Sequence, residues 1–159
     1  MRIGINEVII RERSDGNRQR ELNTLPTLLT KLCSRGDEAL IYVSRNLSDN
    51  MTKRLVGNPD RVSVIKTPLS ATSAFKRTII GEYYWSRQVG REKLDLFHTS
   101  YYPVPRLKVP IVLTVNDVRF LHLPETYTRS RLMFLRQFVP YSLRRATRII
   151  TISGNTKDD

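Results

Sequence analysis

The chain has 159 residues, the size of a single domain, and 40% of them are hydrophobic and 26% charged. This composition excludes a disordered tail and a collagen-like fibre. Because the chain has only one cysteine, it is not a disulfide scaffold. The 27 lysines and arginines outnumber the 15 aspartates and glutamates, giving a net charge of +12. Such a charge indicates an anionic partner: nucleic acid, an anionic membrane surface or a phosphorylated ligand. No apolar run approaches the roughly 20 residues that span a bilayer, so we expect a cytoplasmic protein.

Short apolar runs alternate with segments of helical periodicity along the chain. The predicted strands are Arg2–Ile5, Ala39–Val43, Val62–Lys66, Leu94–His98, Ile111–Val115 and Arg148–Ile152. The predicted helices are Asn17–Arg35, Ser48–Val56, Ser73–Gly90 and about Thr128–Ala146. Pro26 should kink or split the first helix. This succession predicts one α/β domain over residues 1–159, with a Rossmann-like, doubly wound parallel sheet and right-handed crossovers.

The loops at the carboxyl ends of the strands, where ligands of such sheets bind, hold most of the unusual residues. The candidate binding residues in these loops are Asp15, Gly16, Asn17, His98, Tyr101, Asn116 and Asp117. The order of the elements puts the loops after strands one, four and five on one edge. We therefore expect Gly16, His98, Asn116 and Asp117 to line one concavity.

Each candidate also has a purely structural interpretation. The turn before the first helix either holds a phosphate or sugar hydroxyl on the backbone N–H groups near Gly16, or is capped by Asp15 or Asn17. His98 is either a base or hydrogen-bond donor to a substrate hydroxyl, or a buried structural histidine. Asp117 either orients a sugar hydroxyl or caps the turn that follows it.

Several common chemistries lack the residues that they need. The absence of GxGxxG and of a P-loop argues against dinucleotide binding and Walker-type ATP hydrolysis. There is no G-x-S-x-G elbow, and Cys33 falls on the apolar face of a predicted helix, which leaves no candidate nucleophile. Two histidines and one cysteine without a C-x-x-C pair argue against zinc. We therefore expect neither a metal nor a cofactor.

Four stretches together resemble the N-terminal half of family 4 glycosyltransferases. They are Asp95–Pro105, Lys108–Val118, Phe120–Glu125 and Ser142–Ser153, the last with its arginines followed by Ile-Ile-Thr-Ile-Ser. The resemblance implies a GT-B enzyme, in which two Rossmann-like domains face each other across a cleft. It further implies retaining, metal-independent transfer of a hexose from a nucleotide-sugar donor to a glycan or lipid-linked acceptor, as in polysaccharide biosynthesis.

In this family the N-terminal domain binds the acceptor, and the donor-binding carboxylates and phosphate-binding basic residues lie in a second domain. The resemblance implies that this second domain is absent from the 159 residues, through deliberate shortening or a truncated reading frame. The chain alone should then be inactive, and its uncovered face could form a homo-oligomer.

Three positions depart from the family pattern. A Gly-Gly pair is usual where this chain has Asp15–Gly16 and then Asn17, and His-Asp is usual where it has Asn116–Asp117. Ser100 stands where many relatives carry a functional histidine, and it joins the binding candidates. Asparagine and serine can hydrogen-bond a hydroxyl but cannot serve as a histidine base, so the resemblance favours binding roles here and leaves the catalytic residue unknown.

The last long predicted helix has two different sides. Leu132, Leu135, Val139, Leu143 and Ala146 share the stripe that should pack on the sheet. The candidate membrane-surface residues on the other side are Arg131, Phe134, Phe138, Arg144 and Arg145. Rings and guanidinium groups interleaved in this way are typical of a peripheral contact with anionic lipid on the inner face of a membrane. Alternatively, the rings pack against a neighbouring helix or the missing domain.

Two other function classes remain as alternatives. The first is a non-catalytic, basic α/β module that binds nucleic acid or phosphate. The chain has no RNP-like strand, zinc finger or recognition helix, which argues against nucleic acid. The second is a nicotinamide-dependent enzyme, which the missing glycine fingerprint disfavours.

Overall fold

A computed structural model describes residues 1–12, 16–57, 60–69 and 74–158. Its strands are β1 (Arg2–Glu7), β2 (Glu38–Ser44), β3 (Val62–Thr67), β4 (Leu96–Thr99), β5 (Ile111–Val115) and β6 (Arg148–Thr151). Its helices are α1 (Gly16–Ser34), α2 (Asp49–Val56), α3 (Ala74–Arg91), α4 (Arg129–Leu143) and α5 (Gly154–Asp158), with a 3₁₀ turn at Pro124–Thr126. The six strands form one parallel sheet in the order β3-β2-β1-β4-β5-β6. This sheet confirms the predicted Rossmann-like α/β fold.

Several elements differ from their predicted bounds: β4 begins at Leu96 and not at Leu94, and α4 ends at Leu143 and not near Ala146. β1 is two residues longer than predicted, because Asn6 and Glu7 are buried and continue the pairing with Tyr42 and Val43 of β2. α1 runs unbroken from Gly16 to Ser34, so Pro26 does not split it.

Helices cover both faces of the sheet. On one face Leu25 and Leu29 of α1 and Leu55 of α2 pack over Ile5 and Ile41. On the opposite face, α3 covers the middle strands and α4 covers the strands toward β6. The residues of that second layer are Trp85 and Val89 over Tyr42 and Phe97, and Leu135 and Val139 over Leu113 and Val115.

The packing is close around Gly4 of β1, beneath an aromatic cluster. The Trp85 ring lies edge-on to Tyr42 with centroids 5.1 Å apart and tilted against Phe97 at 5.0 Å. A Cβ atom on Gly4 would lie 2.5 Å from Leu94 Cδ1 and 3.3 Å from ring atoms of Tyr42 and Phe97. A side chain at position 4 would therefore overpack Leu94 and the rings of Tyr42 and Phe97.

The strand order reverses at β1, which lies between β2 and β4. A crevice forms at such a switch point beyond the carboxyl ends of the strands. α4 begins close to this edge, where the Thr128 hydroxyl accepts a hydrogen bond from the Arg131 N–H at the helix N-terminus. Across the described ranges, no helix has the length and apolarity needed to cross a membrane.

We expect Gly4→Ala to destabilise the chain by about 1–2 kcal/mol, since the new methyl group would overpack the aromatic cluster. Gly90→Ala is the matched control, because a Cβ there meets no atom within 4 Å and the residue lies inside α3. That change should stabilise by about 0.5–1 kcal/mol. Urea unfolding followed by circular dichroism measures both, and equal effects of the two alanines would contradict the close packing at Gly4.

Candidate functional site

A cleft of about 130 Å³ opens at the carboxyl edge of the sheet, on the side of α3 and α4. The residues after β4 and the residues after β5 form two of its walls, and the N-terminal parts of α3 and α4 contribute the others. Its described lining residues are Ile9, Arg77, Ser100, Tyr101, Tyr102, Asn116, Asp117, Phe120, Tyr127, Arg131, Phe134 and Leu135.

Four of the binding residues expected from the sequence lie in this cleft. Ser100 and Tyr101 directly follow β4, and Asn116 and Asp117 directly follow β5. Asp117 also stabilises its own turn, because its Oδ1 accepts the Arg119 N–H at 3.1 Å. The carboxylate of Asp117 therefore both caps a turn and lines the cleft.

His98 and Gly16 do not share the concavity, which corrects the expectation from the order of the elements. Neither of these two described residues lines the cleft. Side chains alternate along a strand, and His98 has the same orientation as Leu96, which packs toward α1. The cleft opens on the opposite face, beside α3 and α4. The order of the elements predicted that these loops share the carboxyl edge of the sheet. It did not predict on which face of the sheet each side chain lies, because that depends on the register of the strands.

His98 is instead held within the sheet. Its Nε2 hydrogen-bonds the Thr114 hydroxyl at 2.9 Å, and its Nδ1 is buried without a partner among the described residues. Burial, reinforced by the positive charge of Arg20, lowers the pKa of His98 to about 4. The imidazole is therefore neutral at physiological pH, and this surrounding favours the structural interpretation over that of a general base.

Two further binding candidates, Asp15 and Asn17 beside the start of α1, stay predictions. Asp15 lies outside the described residues, and the side chain of Asn17 lies outside them as well. Gly16 is the first residue of α1 and is exposed.

Arg20 of α1 connects the two loops that form the cleft. Its Nη2 donates to Glu21 and, at 3.1 Å, to the Ser100 hydroxyl, while its Nη1 donates to Asn116 Oδ1. Glu21 is buried, so the guanidinium is bound beside an enclosed carboxylate. Sequence reasoning missed Arg20, because a single arginine in the first turns of a helix has no recognisable pattern.

A second buried contact joins β1 to the loop after β4. Glu7 is fully buried, and its Oε2 accepts the Tyr101 hydroxyl at 2.9 Å, whereas its Oε1 has no partner within the described residues. Burial raises the pKa of Glu7 to about 7, although Tyr101 and Arg20 both act in the opposite direction. The carboxyl at the end of β1 therefore titrates close to neutrality and positions a tyrosine of the cleft.

Three further cleft residues were absent from the predicted binding set. Arg77 comes from α3, Tyr102 follows Tyr101, and Tyr127 precedes α4. The Tyr102 hydroxyl is buried, and burial followed by the nearby charge of Asp117 raises the pKa of Tyr102 to about 12. This hydroxyl is therefore a neutral hydrogen-bond donor at physiological pH. The Tyr101–Tyr102 pair after a strand was the available signal for it.

The five membrane-surface candidates do not form one outward face. Phe134 packs against the core under α4 and lines the cleft, and Arg131 lies 5.7 Å from its ring centroid. Phe138 is half-buried, with its ring centroid 4.7 Å from that of Phe134. Arg144 and Arg145 follow the last residue of α4, and Arg145 stacks on Tyr141. The membrane contact stays a prediction, although Phe134 packs partly against the core under α4.

Among the residues that the structure describes, no group of three or more histidine, cysteine, aspartate or glutamate side chains could hold a metal ion. The sequence model for Glycosyltransferase Family 4 matches residues 27–159 of the chain. The match includes both loops of the cleft, while Glu7 and Arg20 precede it. No curated protein matches the chain.

We expect Glu7→Gln to reduce the dependence of stability on pH. The folded pKa of Glu7 lies above its ordinary value of 4.5, so its contribution to stability is present at acidic pH and lost as pH rises through about 7. Glutamine does not ionise, so its stability relative to the parent should be roughly 2 kcal/mol higher at pH 8 than at pH 5. Urea unfolding at the two pH values measures this difference.

The exposed Glu125→Gln is the control, and it should show no such difference between the two pH values. If Glu7→Gln were equally destabilising at both pH values, the carboxyl would not be the buried, weakly acidic group described above.

Proposed function

Because the chain belongs to glycosyltransferase family 4, we propose that it forms the acceptor-binding wall of an enzyme that transfers a sugar with retention from a nucleotide-sugar to a glycan acceptor. The observation that carries this proposal is the cleft after β4 and β5, which lies at the edge of the sheet where ligands bind.

The lining of the cleft suits a sugar ring. Tyr101, Tyr102 and Tyr127 offer apolar ring surface to the cleft. Asn116 and Asp117 add polar groups at one end of the same loop. A few polar side chains among aromatic ones provide orientation and specificity in small-molecule sites.

Asp117 is the residue best placed to orient an acceptor hydroxyl. It is the only carboxylate among the described residues that line the cleft. One of its oxygens is engaged by the Arg119 N–H, which fixes the carboxylate while its other oxygen can accept a sugar hydroxyl. Asn116 is held by Arg20 through its oxygen, which fixes the amide group at the wall of the cleft.

Within this proposal the chain contributes positioning, not a covalent intermediate. A fixed acceptor hydroxyl reacts faster because the orientation is set before the reaction. The donor and the groups that stabilise its departing diphosphate belong to a second domain outside these 159 residues. The 159-residue chain should then bind acceptor sugars without transferring to them.

The test measures binding of methyl glucoside, methyl galactoside and methyl mannoside to the isotope-labelled chain. NMR chemical-shift changes monitor the binding. We expect at least one glycoside to shift the resonances of Tyr101, Tyr102 and Tyr127. Asp117→Ala should weaken that binding about tenfold, because a hydrogen bond to a charged carboxylate is lost. It should weaken binding more than Asn116→Ala does, since the amide makes weaker hydrogen bonds.

Glu125→Ala is the matched control, because Glu125 is an exposed carboxylate that does not line the cleft. Its glycoside affinity should equal that of the parent. If no glycoside bound while a single-stranded oligonucleotide did, with a steep salt dependence, the chain would be a basic nucleic-acid module instead. Sugar transfer by the chain alone would also overturn the proposed division of labour.

A further inference from the structure

We propose that the acceptor is acidic, and that Arg77 and Arg131 bind a carboxylate or phosphate group that the acceptor sugar carries. This inference rests on the proposed function and names the chemical class of its acceptor.

The geometry brings two arginines from different helices to one small cleft. Arg77 lies in the first turn of α3 and Arg131 in the first turn of α4, and both line the cleft together with Tyr102. Guanidinium groups match the planar, paired oxygens of a carboxylate or phosphate.

The described lining of the cleft carries more positive than negative side chains. It contains two arginines and one carboxylate, Asp117, which also holds the Arg119 N–H. Burial lowers the pKa of Arg77, and the positive charges of Arg11 and Arg131 lower it further. Like charges held together at a half-buried position cost free energy, and a bound anion offsets that cost.

Tyr102 adds an uncharged donor to the same wall. Its buried hydroxyl has no partner within the described chain, and its raised pKa keeps it protonated. A buried hydroxyl without a hydrogen bond is unfavourable, so the Tyr102 side chain would gain free energy by turning this hydroxyl to a ligand oxygen in the cleft that it lines. The arginines and this hydroxyl together form a donor set that suits an oxyanion.

The experiment compares ligands that differ only at one position of the sugar. Titration calorimetry at low salt would measure methyl glucoside, methyl glucuronide and methyl glucoside 6-phosphate, with the corresponding galactose and mannose series. We expect one acidic ligand to bind at least about tenfold tighter than its neutral counterpart, which corresponds to about 1.4 kcal/mol. The comparison of carboxylate with phosphate identifies which anion the acceptor carries.

Arg77→Gln and Arg131→Gln should each reduce this preference to less than about threefold. Arg87→Gln on α3 and Arg129→Gln on α4 are matched controls, since both arginines are exposed and neither lines the cleft. The controls should keep the full preference.

Three results would overturn the inference while the proposed function stands. These are equal affinity for acidic and neutral glycosides, equal losses in the cleft and control variants, and unchanged preference in both cleft variants. Inorganic phosphate binding as tightly as the sugar phosphate would also overturn it, because the anion would then be recognised without the sugar. If no glycoside bound at all, the proposed function itself would fail.

Discussion

The cleft depends on the guanidinium of Arg20. That one group lies on α1, yet it hydrogen-bonds side chains that directly follow β4 and β5. The chain crosses two helices and several strands between these positions, so the three segments meet only in the folded sheet. The buried carboxylate of Glu21 balances the positive charge of Arg20. Breaking such a network by removing one partner usually costs more than the bonds themselves contribute, because the remaining polar groups stay buried.

Most of the fold was predictable because the parallel strands are apolar on both faces. β5 has the predicted bounds, and the N-caps Ser48 and Thr128 mark the beginnings of α2 and α4. The end of β1 was missed because Asn6 and Glu7 are polar, and only their pairing with β2 shows that they continue the strand.

The site was predictable at the level of its loops but not of its side chains. The order of strands and helices places the residues after β4 and β5 together, and four of the expected residues line the cleft. The position of His98 on the other face depends on a strand register that apolar spacing alone does not define. The sequence does not mark the other site residues. Two of them, Arg20 and Arg77, lie on helices of ordinary amphipathic pattern, and Glu7 lies at the end of a strand. Their roles arise from contacts between segments distant in the sequence.

The aromatic cluster under α3 gives the chain a built-in optical probe. Trp85 is the only tryptophan of the 159 residues, and its ring is buried against Tyr42, Tyr84 and Phe97. Arg77 lies eight residues earlier on the same helix, at the wall of the cleft. Tryptophan emission therefore reports the packing of α3 on the sheet directly, without a label. A ligand that moved α3 would change this emission while leaving the backbone circular dichroism unaltered, which separates a shift of one helix from unfolding of the whole domain.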